Sequence, residues 1–277
     1  MSIFDRLRTL YPEASRSRVK QWLEAGRVEV NGHVTRDGRR AIGLDDRVAL
    51  APRSQTASPA RSAPRFPAAL RLRHEDEHLL VIEKPAGLLT IATERERERT
   101  AYRLLWDYLA GQRPPRRPFV VHRLDRDTSG LLVFAKSPEA KHQLQAQFES
   151  RTAERGYVAV VEGRVRADSG TLETRLAEDR QLRVHASPTG RLAVTHYRVL
   201  ARRPDTTALA LTLGTGRRRQ IRVQLALIGH PILGDGEHGS GRNPFGRLAL
   251  HASRLRVVHP GTGQPVTFES AAPAGWV

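Results

Sequence analysis

Two periodicities divide this chain. Between Ser15 and Gly26, Val19, Trp22 and Leu23 fall at i, i+3 and i+4, the spacing of one helix face. Ser15 can cap the start, and Gly26 suits the left-handed position past the end. The other face carries Arg16, Arg18 and Lys20. Val28 and Val30 then alternate with polar residues up to Asn31-Gly32, a pair that accepts positive φ at both central positions of a type I′ turn. A hairpin returning through Val34 is predicted. Residues 1–50 therefore read as a small α+β domain. Residues 51–68 place four prolines among Ser, Ala and Arg, with too little apolar periodicity to offset the entropy of ordering, and read as a linker.

Residues 69–277 read as one larger domain. Leu79-Leu80-Val81-Ile82 is a buried-strand pattern that stops at the turn composition Lys84-Pro85-Ala86-Gly87. Thr93 to Arg99 alternates Glu and Arg and reads as an exposed loop or helix start. Phe119-Val120-Val121 and Leu131-Leu132-Val133-Phe134-Ala135 are strand runs on either side of a polar turn. Ser137-Pro138 starts a helix, serine as cap and proline in the first turn, with Ala140, Leu144 and Phe148 along one face. Further strands are predicted over 157–161, 193–200, 208–213, 254–258 and 266–269. Gly214-Thr215-Gly216 is a strand-to-helix turn. Helices and strands that do not alternate strictly predict an α+β fold with a mixed or antiparallel sheet.

At 277 residues the chain can bury a proper core. No apolar run is long enough to span a membrane, and the start lacks the layout of a secretory signal. With no cysteine there are no disulfides or thiolate metal sites, and a cytoplasmic, monomeric protein is the default expectation. The net charge of +17 points to a polyanionic partner. Lysines are confined to Lys20, Lys84, Lys136 and Lys141, so arginine bias in the coding sequence is a competing source of that charge.

The most informative segment is His122-Arg123-Leu124-Asp125-Arg126-Asp127-Thr128-Ser129-Gly130, an acid between arginines on a turn that feeds a strand. Such a turn can present a carboxylate to a ligand. Read singly, Asp125 is equally an acid that satisfies a turn's backbone donors, and Asp127 competes with it. Arg222 would by default lie on the surface of a helix whose buried face is Ile221, Leu225 and Ile228, and Tyr157 would be an ordinary sheet aromatic. His122, His230 and His251 lack ligand spacing with a supporting carboxylate, so no metal site is expected. No phosphate loop or dinucleotide fingerprint occurs, and no cofactor is expected.

Read together, these segments resemble a known family. His122 to Gly130, with Leu131-Leu132-Val133-Phe134-Ala135-Lys136, is similar to the signature of the RluA-type pseudouridine synthases. Leu80 to Leu88, Tyr157 to Gly163, Gly216 to Val223, Gly229 to Asp235, Leu250-His251-Ala252 and His259-Pro260 agree in order. Arg16 to Leu50, through Gly26-Arg27-Val28-Glu29-Val30-Asn31-Gly32 and Leu44-Asp45-Asp46-Arg47-Val48, resembles the small RNA-binding domain of the ribosomal protein S-four family. The resemblance implies an isomerase that converts uridine in structured RNA to pseudouridine without metal or cofactor. Ribosomal RNA is favoured as partner, with transfer RNA as the alternative.

By the same resemblance Asp125 is the catalytic aspartate, acting on the ribose as nucleophile or as base. Arg222 pairs with it, and Tyr157 packs against the uracil. Arg123 enters the RNA stack where the target base leaves it, and Ile221 and Leu250 complete the apolar wall. Arg16, Arg18, Lys20, Arg27 and Arg217 are expected to hold RNA. A guanidinium about 4 Å from a carboxylate is worth ~4 kcal/mol at an effective dielectric near 20, enough to keep the acid ionised at pH 7. The chain departs from the family pattern at Arg218 and Arg219, where Thr-His is usual, at Gln224, where His is usual, and at Leu89-Thr90-Ile91-Ala92-Thr93. Two rivals remain at this point, a non-catalytic RNA-binding or ribosome-assembly factor and a nucleobase glycosylase.

Overall fold

The computed structural model describes residues 1–43, 45–51, 65–94 and 96–277. These fall into two compact units, one within Met1–Ser62 and one within Ala63–Val277. Most of the expected linker, residues 52–64, lies outside the described residues, as does Leu44.

The amino-terminal unit contains α1 (Ile3–Leu10), α2 (Arg16–Glu24), β1 (Val28–Val30), β2 (His33–Thr35) and β3 (Val48–Leu50). Ser15 caps α2 by accepting from the Arg18 amide, and Gly26 lies at φ 64° beyond its end. Asn31 and Gly32 take φ of 53° and 81°, so β1 and β2 pair through the predicted turn, with Val30 opposite His33. Val19 and Leu23 of α2 and Ile3 and Leu7 of α1 close over Val28 and Val30. Capped by Ser2, α1 precedes the predicted elements.

The second unit is built on β4 (Arg71–Glu75), β5 (Leu79–Lys84), α3 (Ala101–Ala110), β6 (Phe119–Val120), β7 (Ser129–Ala135), α4 (Pro138–Glu149) and β8 (Glu154–Glu162). It continues through β9 (Ser169–Glu178), β10 (Val184–Ala186), β11 (Arg191–Arg202), β12 (Thr206–Leu213), α5 (Gln220–Leu227), β13 (Leu250–Val258) and β14 (Pro265–Glu269). One sheet runs in the order β10-β9-β11-β12-β8-β13-β7-β5-β4, with β14 beside β13 and β6 beside β7. Among the described residues the β7–β13 pairing is parallel and the others are antiparallel, the mixed sheet expected of an α+β fold.

The continuous apolar runs of β5 and β7 follow from burial on both faces. Leu80, Ile82, Leu132 and Phe134 pack with Leu105 and Leu109 of α3. Leu79, Val81, Leu131 and Val133 pack with Ala140 and Leu144 of α4, which Ser137 caps and Pro138 opens as predicted. Residues 93–99, where described, form turns and bends. The sequence reading missed α3, β4, β9 and β10. Thr100 caps α3, and its apolar stripe Ala101, Leu105 and Leu109 is plain once the element is known. β9 buries only Leu172 and Leu176 and offers little alternation to read.

The parallel crossing of β7 and β13 brings the carboxyl-terminal part of the chain beside the Asp125 turn. His251 lies opposite Ser129, and Ser129 Oγ is 2.7 Å from His251 Nδ1 and accepts from Arg247 at 2.6 Å. Gly130 sits at φ 112°, and a Cβ there would lie 2.2 Å from the Ala252 carbonyl oxygen. Both the backbone angle and the close approach require glycine. Gly130→Ala is therefore expected to cost about 3 kcal/mol of stability. Chemical denaturation measures it, and an unchanged midpoint would contradict this packing.

Candidate active site

Asp125 lies on the loop that enters β7, and three anchors fix it. Thr90 accepts from the Leu124 amide at 3.2 Å and donates to the Leu124 carbonyl at 2.8 Å. Lys84, at the end of β5, donates to the carbonyls of Pro85, Leu88 and Arg126 at 2.9, 2.7 and 3.0 Å. The Gly87 amide also donates to the Arg126 carbonyl. Both neighbours of Asp125 are thus held by main-chain bonds while its own side chain stays partly exposed. Burial pulls the Lys84 ammonium down to about 7, and the carboxylates of Asp127 and Asp125 oppose that pull. Its three carbonyl partners bind an ammonium and satisfy all of its donors.

Asp125 faces a cleft of about 400 Å³ whose walls include Arg123, Leu124, Tyr157, Leu213, Arg217, Ile221, Arg222 and Leu250. The fold thus gathers the predicted carboxylate, phenol, guanidinium, entering arginine and apolar wall into one concavity. Asp127 does not line it, but shares an adjoining pocket with Asp125 and Arg222 and faces another with Gly87 and Arg247. Tyr157 projects from β8 and is buried. Desolvation pushes its phenol up to about 12, with Arg155 opposing and Asp125 reinforcing the shift. At neutral pH it is an uncharged ring with a hydroxyl donor.

Arg222 departs from the default surface reading. Residues Gln220 to Leu225 of α5 are all buried, while Ile228, expected on the buried face, is exposed. Its Nη1 lies 4.0 Å from Asp125 Oδ2, an ion pair without a hydrogen bond. The direct partners are others: Nε and Nη2 donate to the two oxygens of Asp235 at 2.7 and 2.6 Å, and Nη2 also reaches Glu237 at 3.1 Å. The bidentate bond orients the guanidinium plane. Asp235 is fully buried and also takes hydrogen bonds from His238. Burial alone would raise its pKa, and the Arg222 and His238 hydrogen bonds overcome this and hold it well below the usual carboxylate range.

Asp235 and Glu237 are what sequence reasoning missed, although Asp235 stands at the end of the Gly229-to-Asp235 block. The departures also find places. Arg218 pairs with Glu178 and Arg219, at φ 52°, pairs with Glu237. Gln224 accepts from Thr195 and donates to the Leu172 and Ala193 carbonyls. Gln220 joins the same chain through Thr195, Thr215 and the Arg217 amide, tying α5 to β9 and β11.

In the amino-terminal unit Arg16, Arg18 and Lys20 are exposed on α2. Arg27 instead donates to the Ala51 carbonyl, which closes the unit's own chain.

One cluster has metal-like composition among the described residues. Ligand atoms of His74, Asp76 and His259 lie within 4.8 Å of one another, brought together by the fold from distant positions. His259 Nδ1 accepts from the Gly261 and Thr262 amides, so its Nε2 carries the proton it shares with Asp76. With that nitrogen protonated, the cluster is built as a hydrogen-bonded hub.

Asp235→Asn leaves Arg222 buried with its main counter-charge removed, and should cost about 3 kcal/mol at pH 7. The wild-type carboxylate has a lowered folded pKa, so its stabilisation is complete above the unfolded value near 3.9 and declines as pH falls below it. The gap between the two proteins in urea melts should therefore narrow below about pH 4. A gap that is absent at pH 7, or widens in acid, contradicts the assignment.

The RNA pseudouridylate synthase family model matches residues 78–227, and the S4 domain model matches residues 3–48. A Bacillus subtilis protein named uncharacterized RNA pseudouridine synthase YhcT is 35% identical over 98% of this chain and 90% of its own length. Ribosomal large subunit pseudouridine synthase D of Pseudomonas aeruginosa is 36% identical over 95% of this chain and 86% of its own. Among solved structures, human RNA pseudouridylate synthase domain containing 4 superposes with a TM-score of 0.62 over 74% of this chain and 89% of that one, at 23% identity, which speaks to the fold. With its RNA pseudouridylate synthase domain and an S4 domain before it, the chain belongs to the RNA pseudouridine synthase family.

Proposed function

We propose that this enzyme converts uridine in bacterial large-subunit ribosomal RNA to pseudouridine in the cytoplasm, with Asp125 as its catalytic residue. The observation that carries the reading is the shared cleft, in which Asp125, Arg222, Tyr157, Ile221 and Leu250 face one concavity of nucleotide size. The substrate assignment is supported by relatives named for the ribosomal large subunit.

In this reading the target uridine leaves its stack, at a cost of a few kcal/mol that is least in unpaired RNA. Arg123 fills the gap, and Arg217 with Arg16, Arg18 and Lys20 meets backbone phosphates. Arg27, tied to the Ala51 carbonyl, contributes mainly to the shape of its own unit. The uracil lies between Tyr157 and the Ile221–Leu250 wall. Asp125 meets the ribose, where an ionised carboxylate serves as nucleophile at C1′ or as base toward a sugar proton. The bond from C1′ to N1 breaks, the base turns, C1′ bonds to C5, and the C5 proton is lost while N1 gains one. Atoms and charge balance, as an isomerisation requires. The Tyr157 hydroxyl is the group in the wall suited to carry that proton. Arg222, oriented by Asp235, favours the ionised form of Asp125 throughout.

Incubating the protein with an unmodified transcript of large-subunit ribosomal RNA, followed by carbodiimide mapping, tests this. A discrete new pseudouridine is expected, with Asp125→Asn slower by roughly 10⁴-fold or more. Equal turnover by Asp125→Asn would overturn the catalytic assignment. Modification of transfer RNA alone would overturn the substrate.

A further inference from the structure

The arginines around the cleft differ in how they are neutralised. Arg218, Arg219 and Arg222 each have a carboxylate partner, Glu178, Glu237 and Asp235 respectively. Arg155 has none. Among the described residues no acid lies within ion-pair distance of it, and its Nε is buried without any hydrogen-bond partner. Its sequence neighbour Glu154 is engaged by Arg256 at 2.9 Å.

Its surroundings offer an aromatic face but no counter-charge. Its guanidinium stands 5.6 Å from the Phe148 ring centroid, and His122 stacks on that same ring at 4.5 Å. His122 Nε2 accepts from the Val133 amide, and burial together with Arg155 pushes the imidazole down to about 3, so it is neutral. A partly buried cation beside a neutral histidine and a phenyl ring is costly to keep, because desolvation is not matched by a counter-charge. Buried polar groups left unsatisfied are rare in native proteins and call for a reason.

The position supplies one. Arg155 and Tyr157 lie two apart on β8 and share a face of the sheet, about 7 Å from one another along the strand. That is comparable to the span from a nucleobase to the phosphate of its own nucleotide. The guanidinium also reaches Gly216, part of the cleft wall: a Cβ built there would lie 2.3 Å from Arg155 Nη1. Gly216 has no positive φ to explain it, so its lack of a side chain serves the approach of the arginine.

We infer that Arg155 is a phosphate-binding residue whose counter-ion arrives with the substrate, the backbone phosphate at or next to the uridine that packs on Tyr157. The inference rests on the proposed function and adds to it a specific anion subsite, with Gly216 as the opening that admits the guanidinium. It explains why the chain keeps, beside the cleft, an arginine whose Nε is buried without a hydrogen-bond partner.

Arg155→Met separates this role from a structural one, because the two move stability and binding in different directions. Measured on the large-subunit ribosomal RNA transcript in an Asp125→Asn background, Arg155→Met should weaken binding by about 10-fold. It should also reduce the slope of log K against log salt by about 0.7. Its Tm should stay level or rise, since a desolvated charge has been removed. Arg155→Lys should keep most of the slope. Gly216→Ala, which pushes the guanidinium aside, should weaken binding in the parent and add little to Arg155→Met.

A fall in Tm with unchanged binding overturns the inference. So does a loss of turnover with an unchanged salt slope, which would mean contact with the uracil rather than a phosphate. If the unsubstituted protein forms no pseudouridine on the transcript, it is the proposed function that fails.

Discussion

The bidentate bond between Arg222 and Asp235 is the constraint on which the site depends. A guanidinium 4.0 Å from Asp125 and bonded to nothing else would be free to turn toward solvent. Asp235 removes that freedom by taking Nε and Nη2 together and leaving Nη1 directed at Asp125. At that separation the attraction is worth about 4 kcal/mol at an effective dielectric near 20, and it acts with no movement required when a nucleotide closes the cleft. One guanidinium is shared among three carboxylates, so the direct partners fix geometry and the more distant one is left open for chemistry.

That arrangement in turn leans on the sheet. β7 and β13 run parallel through the Gly130–Ala252 contact and bring Leu250 beside the Asp125 turn. Thr90 and Lys84 hold the residues on either side of Asp125 by their carbonyls, so the acid is positioned by its backbone while its side chain keeps only the 4.0 Å ion pair with Arg222 among the described residues. α5 is tied down from its far side by Gln220 and Gln224, whose amides join Thr195, Thr215 and the carbonyls of β9 and β11. The departure at Gln224 is therefore an internal matter of helix seating. Those at Arg218 and Arg219 fall on the cleft itself, where each cation carries its own acid.

Much of this was legible in the sequence because local chemistry and fold agreed. The Ser15 and Ser137 caps, the Asn31-Gly32 turn and the apolar runs of β5 and β7 each state their structure within a few residues. Asp125, Tyr157 and Arg222 stood in separate motifs whose order pointed to one cleft. What stayed hidden was whatever depends on distant pairing. Asp235 is thirteen positions from Arg222, and nothing in its own neighbourhood marks it as that arginine's main partner. The bond from Arg27 to the Ala51 carbonyl is likewise invisible in the sequence, because it joins positions twenty-four apart. β9 hid because one face is solvent-exposed with few apolar residues, and the His74–Asp76–His259 hub because its members meet only when the β4–β5 turn comes beside the end of β13.

The central claim is that a carboxylate held beside an oriented guanidinium meets the sugar of an extruded uridine whose base lies on Tyr157. A crystal structure of the Asp125→Asn protein bound to its RNA measures this most directly. The account predicts the target ribose C1′ within about 4 Å of the residue-125 side chain, the uracil against Tyr157 and Leu250, and the Arg222–Asp235 bond intact. A nucleotide seated elsewhere, or a residue-125 side chain turned away from the sugar, would contradict it.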